Sequence, residues 1–331
     1  MILHPAVLAN VLASVITTGL VLYACCFGVQ VLLHWDLESG SERQLALERR
    51  TYLVSTILAH VFVLQVLAVF LFVFTADHLT PLFAGAMCAA GTLNVNGYGY
   101  PTLMLKMATC LFAGVWLIVN HADSRGYDYP LIKQKYLLLG IAAPAMLLET
   151  WWELEYFRHL KADVITSCCG CLFGGAHGTS VAGDLAALPS GPMTVVFYAT
   201  MGVTILGGLF HQLRRRGGYV FALASVVAFP VALAAIVSFI SLYIYELPTH
   251  HCPFCILMRD YDYVGYGLYG MLIGAVVAGA GAGALLPSRR VPSMRAVIPS
   301  LVHRLTLASV ALYAVFTAVV TWAILSSHLT L

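Results

Sequence analysis

The residues best suited to chemistry are Cys252-Pro253-Phe254-Cys255, preceded by Leu247-Pro248-Thr249-His250-His251. Two cysteines at this spacing can close a small disulfide ring and reopen it by thiol–disulfide exchange. A static cross-link here would constrain little chain entropy, because the loop is so short. His250, His251, Cys252 and Cys255 are also zinc or copper ligand types. Ligands so close in sequence seldom complete a tetrahedron alone and need a distant partner, such as Cys169, Cys171 or His177. A second cluster, Cys168, Cys169 and Cys171, crowds three thiols into four positions. A bond between adjacent Cys168 and Cys169 would be strained. Cys169 with Cys171, or one of them with Cys88, makes a better pair.

These groups must be held by membrane helices. Of 331 residues, 60% are apolar and 10% charged, against about 25% charged in soluble domains. Apolar runs long enough to cross a bilayer recur at about 6–34, 52–76, 101–120, 132–152, 192–212, 219–245, 254–285 and 300–326. The expectation is an all-α, polytopic bundle of about eight transmembrane helices in a lipid bilayer. A first run with no Lys or Arg before it reads as an uncleaved span. The net charge of +2, with no basic cluster interleaved with aromatics, argues against a nucleic-acid partner.

The basic residues suggest an orientation. Arg43, Arg49, Arg50, Arg125, Lys133, Lys135, Arg214 to Arg216, Arg289, Arg290, Arg295 and Arg304 fall on one side, leaving only Lys106, Arg158, Lys161 and Arg259 for the other. The positive-inside rule makes the rich side cytoplasmic and both termini extracytoplasmic. Cys25, Cys26 and Cys110 then lie within spans as packing residues. Cys88, Cys168, Cys169, Cys171, Cys252 and Cys255 all fall on the outward side, where disulfides persist. Cys252 and Cys255 open the seventh span, so a helix N-terminus is expected to favour their thiolates. His250 and His251 are placed to strengthen this or to relay protons.

Spans four to seven resemble the four-helix core of vitamin K epoxide reductase homologues and, more distantly, the DsbB-like disulfide-generating enzymes of bacterial inner membranes. The resemblance rests on order: one span, a loop with Cys168, Cys169 and Cys171, two spans, then Cys252 and Cys255. Ile165 to Phe173 resembles the family's Ser-Cys loop, and Gly191-Pro192 its Gly-x-Pro. Cys255-Ile256-Leu257-Met258-Arg259 resembles a pattern in which an Arg follows the second cysteine by four residues. The family spaces its loop cysteines more widely than this chain does. The resemblance implies that substrate thiols, on an extracytoplasmic protein or small molecule, reduce the loop cysteines, and that a loop thiolate attacks Cys252. It further implies that Cys255 faces a quinone whose anion Arg259 stabilises. The plainer reading of Arg259 is an interfacial cation paired with Asp260 or Asp262.

The chain then divides into residues 1–131, three spans with an outward loop at 77–100; 132–285, the thiol-redox core; and 286–331, a basic loop and last span. The leading functional expectation is a quinone-linked thiol–disulfide oxidoreductase of a bacterial inner membrane. Alternatives are a non-catalytic subunit of a larger electron-transfer complex, with the cysteines as staples, and a metal-handling protein. Among other polar groups, His60 is expected to be buried and hydrogen-bonded. Trp151, Trp152, Tyr156 and Phe157 read as an interfacial belt. Glu149 and Glu153 share a helix face and read as interfacial charges near Arg158 and Lys161, or as a cation or proton site.

Overall fold

The computed structural model describes residues 3–36, 39–126, 128–161, 166 and 188–329. Cys168, Cys169, Cys171 and His177 lie outside them. Among the described residues there is no strand, and eight helical segments are long and apolar enough to cross a membrane. The protein is an all-α polytopic membrane bundle. The helices are α1 (Pro5–His34), α2 (Glu42–His78), α3 (Ala89–Leu93), α4 (Gly99–Asp123), α5 (Ile132–Arg158), α6 (Ser190–Arg214), α7 (Gly218–Ala235), α8 (Ser241–Tyr245), α9 (Val264–Leu285) and α10 (Val297–Ser326). Leucines such as Leu53, Leu67, Leu206 and Leu223 are exposed on them. Contiguous apolar surface of this kind calls for lipid.

Two compact units form. One comprises Met1–Thr75, Asn96–Lys161 and Ala284–Val302; the other comprises Ala76–Val95, Ala162–Gly283 and His303–Leu331. In the first, α5 packs on α1 and α4. Phe27 meets Tyr136 edge-on at 5.9 Å between ring centroids, and Phe62 meets Trp116 at 4.8 Å. Gly28 permits the approach of α1 to α5, since a Cβ there would stand 2.6 Å from the Tyr136 ring. Lys135 is buried and paired with Asp123 at 2.7 Å. Asp123 also accepts the Leu131 N–H at 2.8 Å, which fixes the turn between α4 and α5.

In the second unit, α6 packs along α7. The Tyr313 hydroxyl donates to the Ser225 carbonyl at 2.8 Å, and Ser309 to the Ala275 carbonyl at 2.7 Å. Such interhelical bonds hold helices where lipid removes the hydrophobic drive between them. The α7 helix passes into a π-helical turn, Ile236–Ile240, before α8. π-turns shift backbone carbonyls out of the regular ladder.

Several polar residues sit differently from expectation. His60 is exposed, its Nδ1 bonded to the Thr56 carbonyl at 2.8 Å. Tyr156 and Phe157 are buried against Phe72, so only Trp151 and Trp152 remain at the surface. Of the in-span cysteines, Cys110 is buried, Cys25 half-buried and Cys26 exposed.

Candidate functional site: a buried thiol cluster

The α2 helix ends at His78, and a 3-10 turn, Thr80–Leu82, follows. The chain reverses through Gly85, whose φ of 87° is left-handed and is the conformation glycine adopts without steric cost. The Thr166 N–H, two residues before Cys168 in sequence, donates to the Ala84 carbonyl at 3.0 Å. This turn delivers Cys88, fully buried, just ahead of α3.

Cys252 and Cys255 come from the segment between α8 and α9. Contrary to the expectation of a helix N-terminus, no long helix begins at the pair. Cys255 opens a single 3-10 turn, Cys255–Leu257, a second turn spans Arg259–Tyr261, and α9 starts only at Val264. The local reason is polar anchoring. The Tyr245 hydroxyl donates to the Cys252 carbonyl at 2.5 Å and accepts the Ile256 N–H at 2.9 Å. The Tyr269 hydroxyl donates to the Pro253 carbonyl at 2.7 Å. Two tyrosines thus bind the backbone groups that a regular helix would pair internally.

These segments bring three sulfurs together. Cys88 Sγ lies 3.4 Å from Cys252 Sγ, and the sulfurs of Cys88, Cys252 and Cys255 all lie within 4.8 Å of one another. All three residues are buried. His250 Nε2 is 3.3 Å from Cys255 Sγ, and its ring packs edge-on against Tyr245 at 4.8 Å. Burial holds the His250 imidazole below its usual range; the Cys88 sulfur opposes this and His251 adds to it. His250 is therefore neutral at pH 7, fitted to exchange a proton with Cys255 rather than to stabilise a thiolate by charge. Burial, followed by Cys255, Asp260 and Cys252, raises the Tyr261 phenol, so it remains a hydroxyl.

His251 turns elsewhere: its Nδ1–H donates to the Val237 carbonyl at 3.0 Å, a carbonyl within the π-helical turn. Arg259 is exposed and makes no ion pair among the described residues, with Asp260 or Asp262 or otherwise. Cys88, expected as a possible partner of Cys169 or Cys171, instead lies against Cys252. The signal available was its outward placement with the other five cysteines, but nothing in its spacing links it to Cys252.

A second polar concentration lies among α1, α2, α4 and α5. Glu149 and Glu153 are buried there, not interfacial, and both pair with Lys106, at 3.0 and 3.1 Å. No protein-family model, no curated protein and no solved structure matches this chain.

Proposed function

We propose that the chain is a membrane thiol–disulfide oxidoreductase that passes electrons from extracytoplasmic thiols to a membrane quinone. The observation that carries this reading is the 3.4 Å contact between Cys88 and Cys252. At that separation one sulfur stands where a thiolate must stand to attack the other. Starting from a Cys252–Cys255 disulfide, the Cys88 thiolate attacks Cys252 Sγ. A Cys88–Cys252 bond forms as the Cys252–Cys255 bond breaks, and Cys255 leaves as a thiolate beside His250. A thiolate of the Cys168, Cys169 and Cys171 cluster attacks Cys88 and releases Cys252; a second thiol of that cluster attacks the mixed disulfide and frees Cys88. Two substrate thiols then reduce the loop disulfide and are themselves oxidised to a disulfide. Two electrons now reside on Cys252 and Cys255. A quinone accepts them with two protons, one of which His250 is placed to hand over.

Cys168, Cys169 and Cys171 serve in this reading as the entry thiols, and Arg259 as the cation near the quinone. The extracytoplasmic placement rests on the distribution of Lys and Arg, and the bacterial inner membrane on the resemblance to DsbB-like enzymes. The test is thiol redox cycling in the purified full chain. Adding a quinone should oxidise Cys252 and Cys255, and a dithiol should return both to the alkylatable state. Cysteines that keep one state under both reagents would sink the proposal.

The same geometry favours a second reading. Tetrahedral zinc with Zn–S of about 2.3 Å sets sulfurs about 3.8 Å apart, close to the spacing of the three sulfurs here. Stoichiometric zinc in the purified chain, with alkylation blocked until a chelator is added, would favour that reading over the relay.

A further inference from the structure

The buried charges of the first unit are independent of the thiols and of the proposed redox function. One ammonium, Lys106, faces two carboxylates, Glu149 and Glu153, and all three are at most 2% exposed. Glu149 is fully supplied with donors: Lys106 Nζ at 3.0 Å, Gln65 Nε2 at 2.8 and 3.0 Å, and Thr109 Oγ1 at 2.5 Å. Three donor groups thus converge on this one carboxylate. Glu153 is supplied on one side only. Its Oε2 accepts the Ser14 hydroxyl and faces Lys106 Nζ at 3.1 Å. Its Oε1 is buried and makes no hydrogen bond among the described residues.

With both carboxyls ionised, one negative charge would be left over in a span, where surplus charge is costly. A bound proton removes the surplus. A metal cation does not suit the place, because sodium or calcium needs several oxygen ligands, only one is unengaged, and an ammonium already occupies the centre. The groups facing Glu153 from each packed element are Ser14 on α1, Lys106 on α4 and Glu149 on its own α5. Gln65 on α2 and Thr109 on α4 reach Glu149, and the Cys110 thiol of α4 is turned to the Val66 carbonyl at 3.7 Å.

We infer that Glu153 is an intramembrane proton-binding site: its Oε1 carries one exchangeable proton, while Lys106 and Glu149 form the fixed ion pair that holds it. The proton leaves to water, and the surplus charge then falls on the Glu153 carboxylate. Intramembrane acids of this kind mark proton pathways, and Glu153 lies little more than one turn before the end of α5 at Arg158.

Infrared difference spectroscopy of the full chain in lipid nanodiscs, titrated with pH in the absence of any redox reagent, tests this. The expected result is one carboxylic-acid C=O band at neutral pH that shifts in D2O and disappears as pH rises. Glu153→Gln should abolish it, since the remaining carboxyl then pairs with Lys106. Glu153→Asp should move the band, and Glu149→Asp should leave its position unchanged. The inference is overturned if no acid band is present, if the band does not titrate, if it moves with Glu149→Asp instead, or if sodium at fixed pH removes it. The two Asp variants keep every charge, so the assignment survives a failure of Glu153→Gln to fold.

Discussion

Cys88 Sγ stands 3.4 Å from Cys252 Sγ across 164 residues of sequence. Cys255 has its own neighbour, His250 Nε2 at 3.3 Å. The two thiols of the pair are thus placed differently: Cys252 lies 3.4 Å from the Cys88 sulfur, and Cys255 lies beside an imidazole. In the relay, Cys252 is the exchanging sulfur and Cys255 the leaving one.

This inequality predicts a trapped species. With Cys255→Ser, the Cys88–Cys252 bond loses the thiol that would re-form the Cys252–Cys255 disulfide, and only the entry thiols remain to resolve it. After oxidation, non-reducing peptide mapping should find the 88 and 252 peptides joined in most molecules. Cys252→Ser should give at least about tenfold less of any Cys88–Cys255 product, because orientation as well as proximity governs attack. Equal yields from both variants would remove the assigned roles.

His250 predicts the pH profile. Its folded-state pKa is lowered, chiefly by burial, so it stays neutral until pH falls below the ordinary imidazole range of about 6.5. Electron transfer from Cys255 to quinone should hold at neutral pH and drop only below that range, as His250 takes up a proton and no longer accepts one from Cys255. His250→Gln should lose about a hundredfold at pH 7. Its residual rate should climb toward the thiol range near pH 8.5. Stopped-flow quinone reduction across pH measures both; superimposable profiles would remove His250 from the chemistry.

How much of this was legible in the sequence follows from the range of the forces involved. The spans could be read because each is a run of some twenty apolar residues, and the bilayer requires the backbone to satisfy itself within the run. The helix start expected at Cys252 failed for a non-local reason: Tyr245 and Tyr269 take the carbonyls of Cys252 and Pro253, and no pattern around the pair announces them. Cys88 could be sorted with the outward cysteines but not assigned to Cys252, since spacing carries no information across that many residues. Glu149 and Glu153 were seen to share a helix face. That the face turns inward depends on Lys106, whose short-range context looked like that of any cation near a span end.

Tyr245 is predicted to matter more than Tyr269. Tyr245→Phe removes a donor to the Cys252 carbonyl and an acceptor for the Ile256 N–H, leaving two buried backbone groups without partners. The cost is about 2–6 kcal/mol at about 1–3 kcal/mol per unsatisfied group. Tyr269→Phe removes only the bond to Pro253 and should cost about 1 kcal/mol. Thermal unfolding in detergent should rank them so. Alkylation of Cys252 should also quicken more in Tyr245→Phe, because the loop that buries its sulfur is released. A reversed order would mean that the pair is shaped by packing and not by these hydroxyls.

Lys106 is predicted to be the most sensitive position outside the thiol cluster. It is 1% exposed, paired with Glu149 and Glu153, bonded to Ser14 at 3.2 Å and set 5.4 Å from the Phe72 ring centroid. Lys106→Met keeps most of the stem but leaves the buried Glu149 without its ion-pair partner. Breaking a buried ion pair from one side costs about 3–5 kcal/mol, enough to lower folded yield sharply in a protein of ordinary stability. Removing both charges is different: Lys106→Met with Glu149→Gln leaves a neutral amide in place of the anion, with Glu153 still an acid. Most of the lost stability should return, since neutral replacements for buried pairs are often tolerated. If the double variant is no more stable than Lys106→Met alone in detergent unfolding, the lysine is acting by its shape and not by its charge.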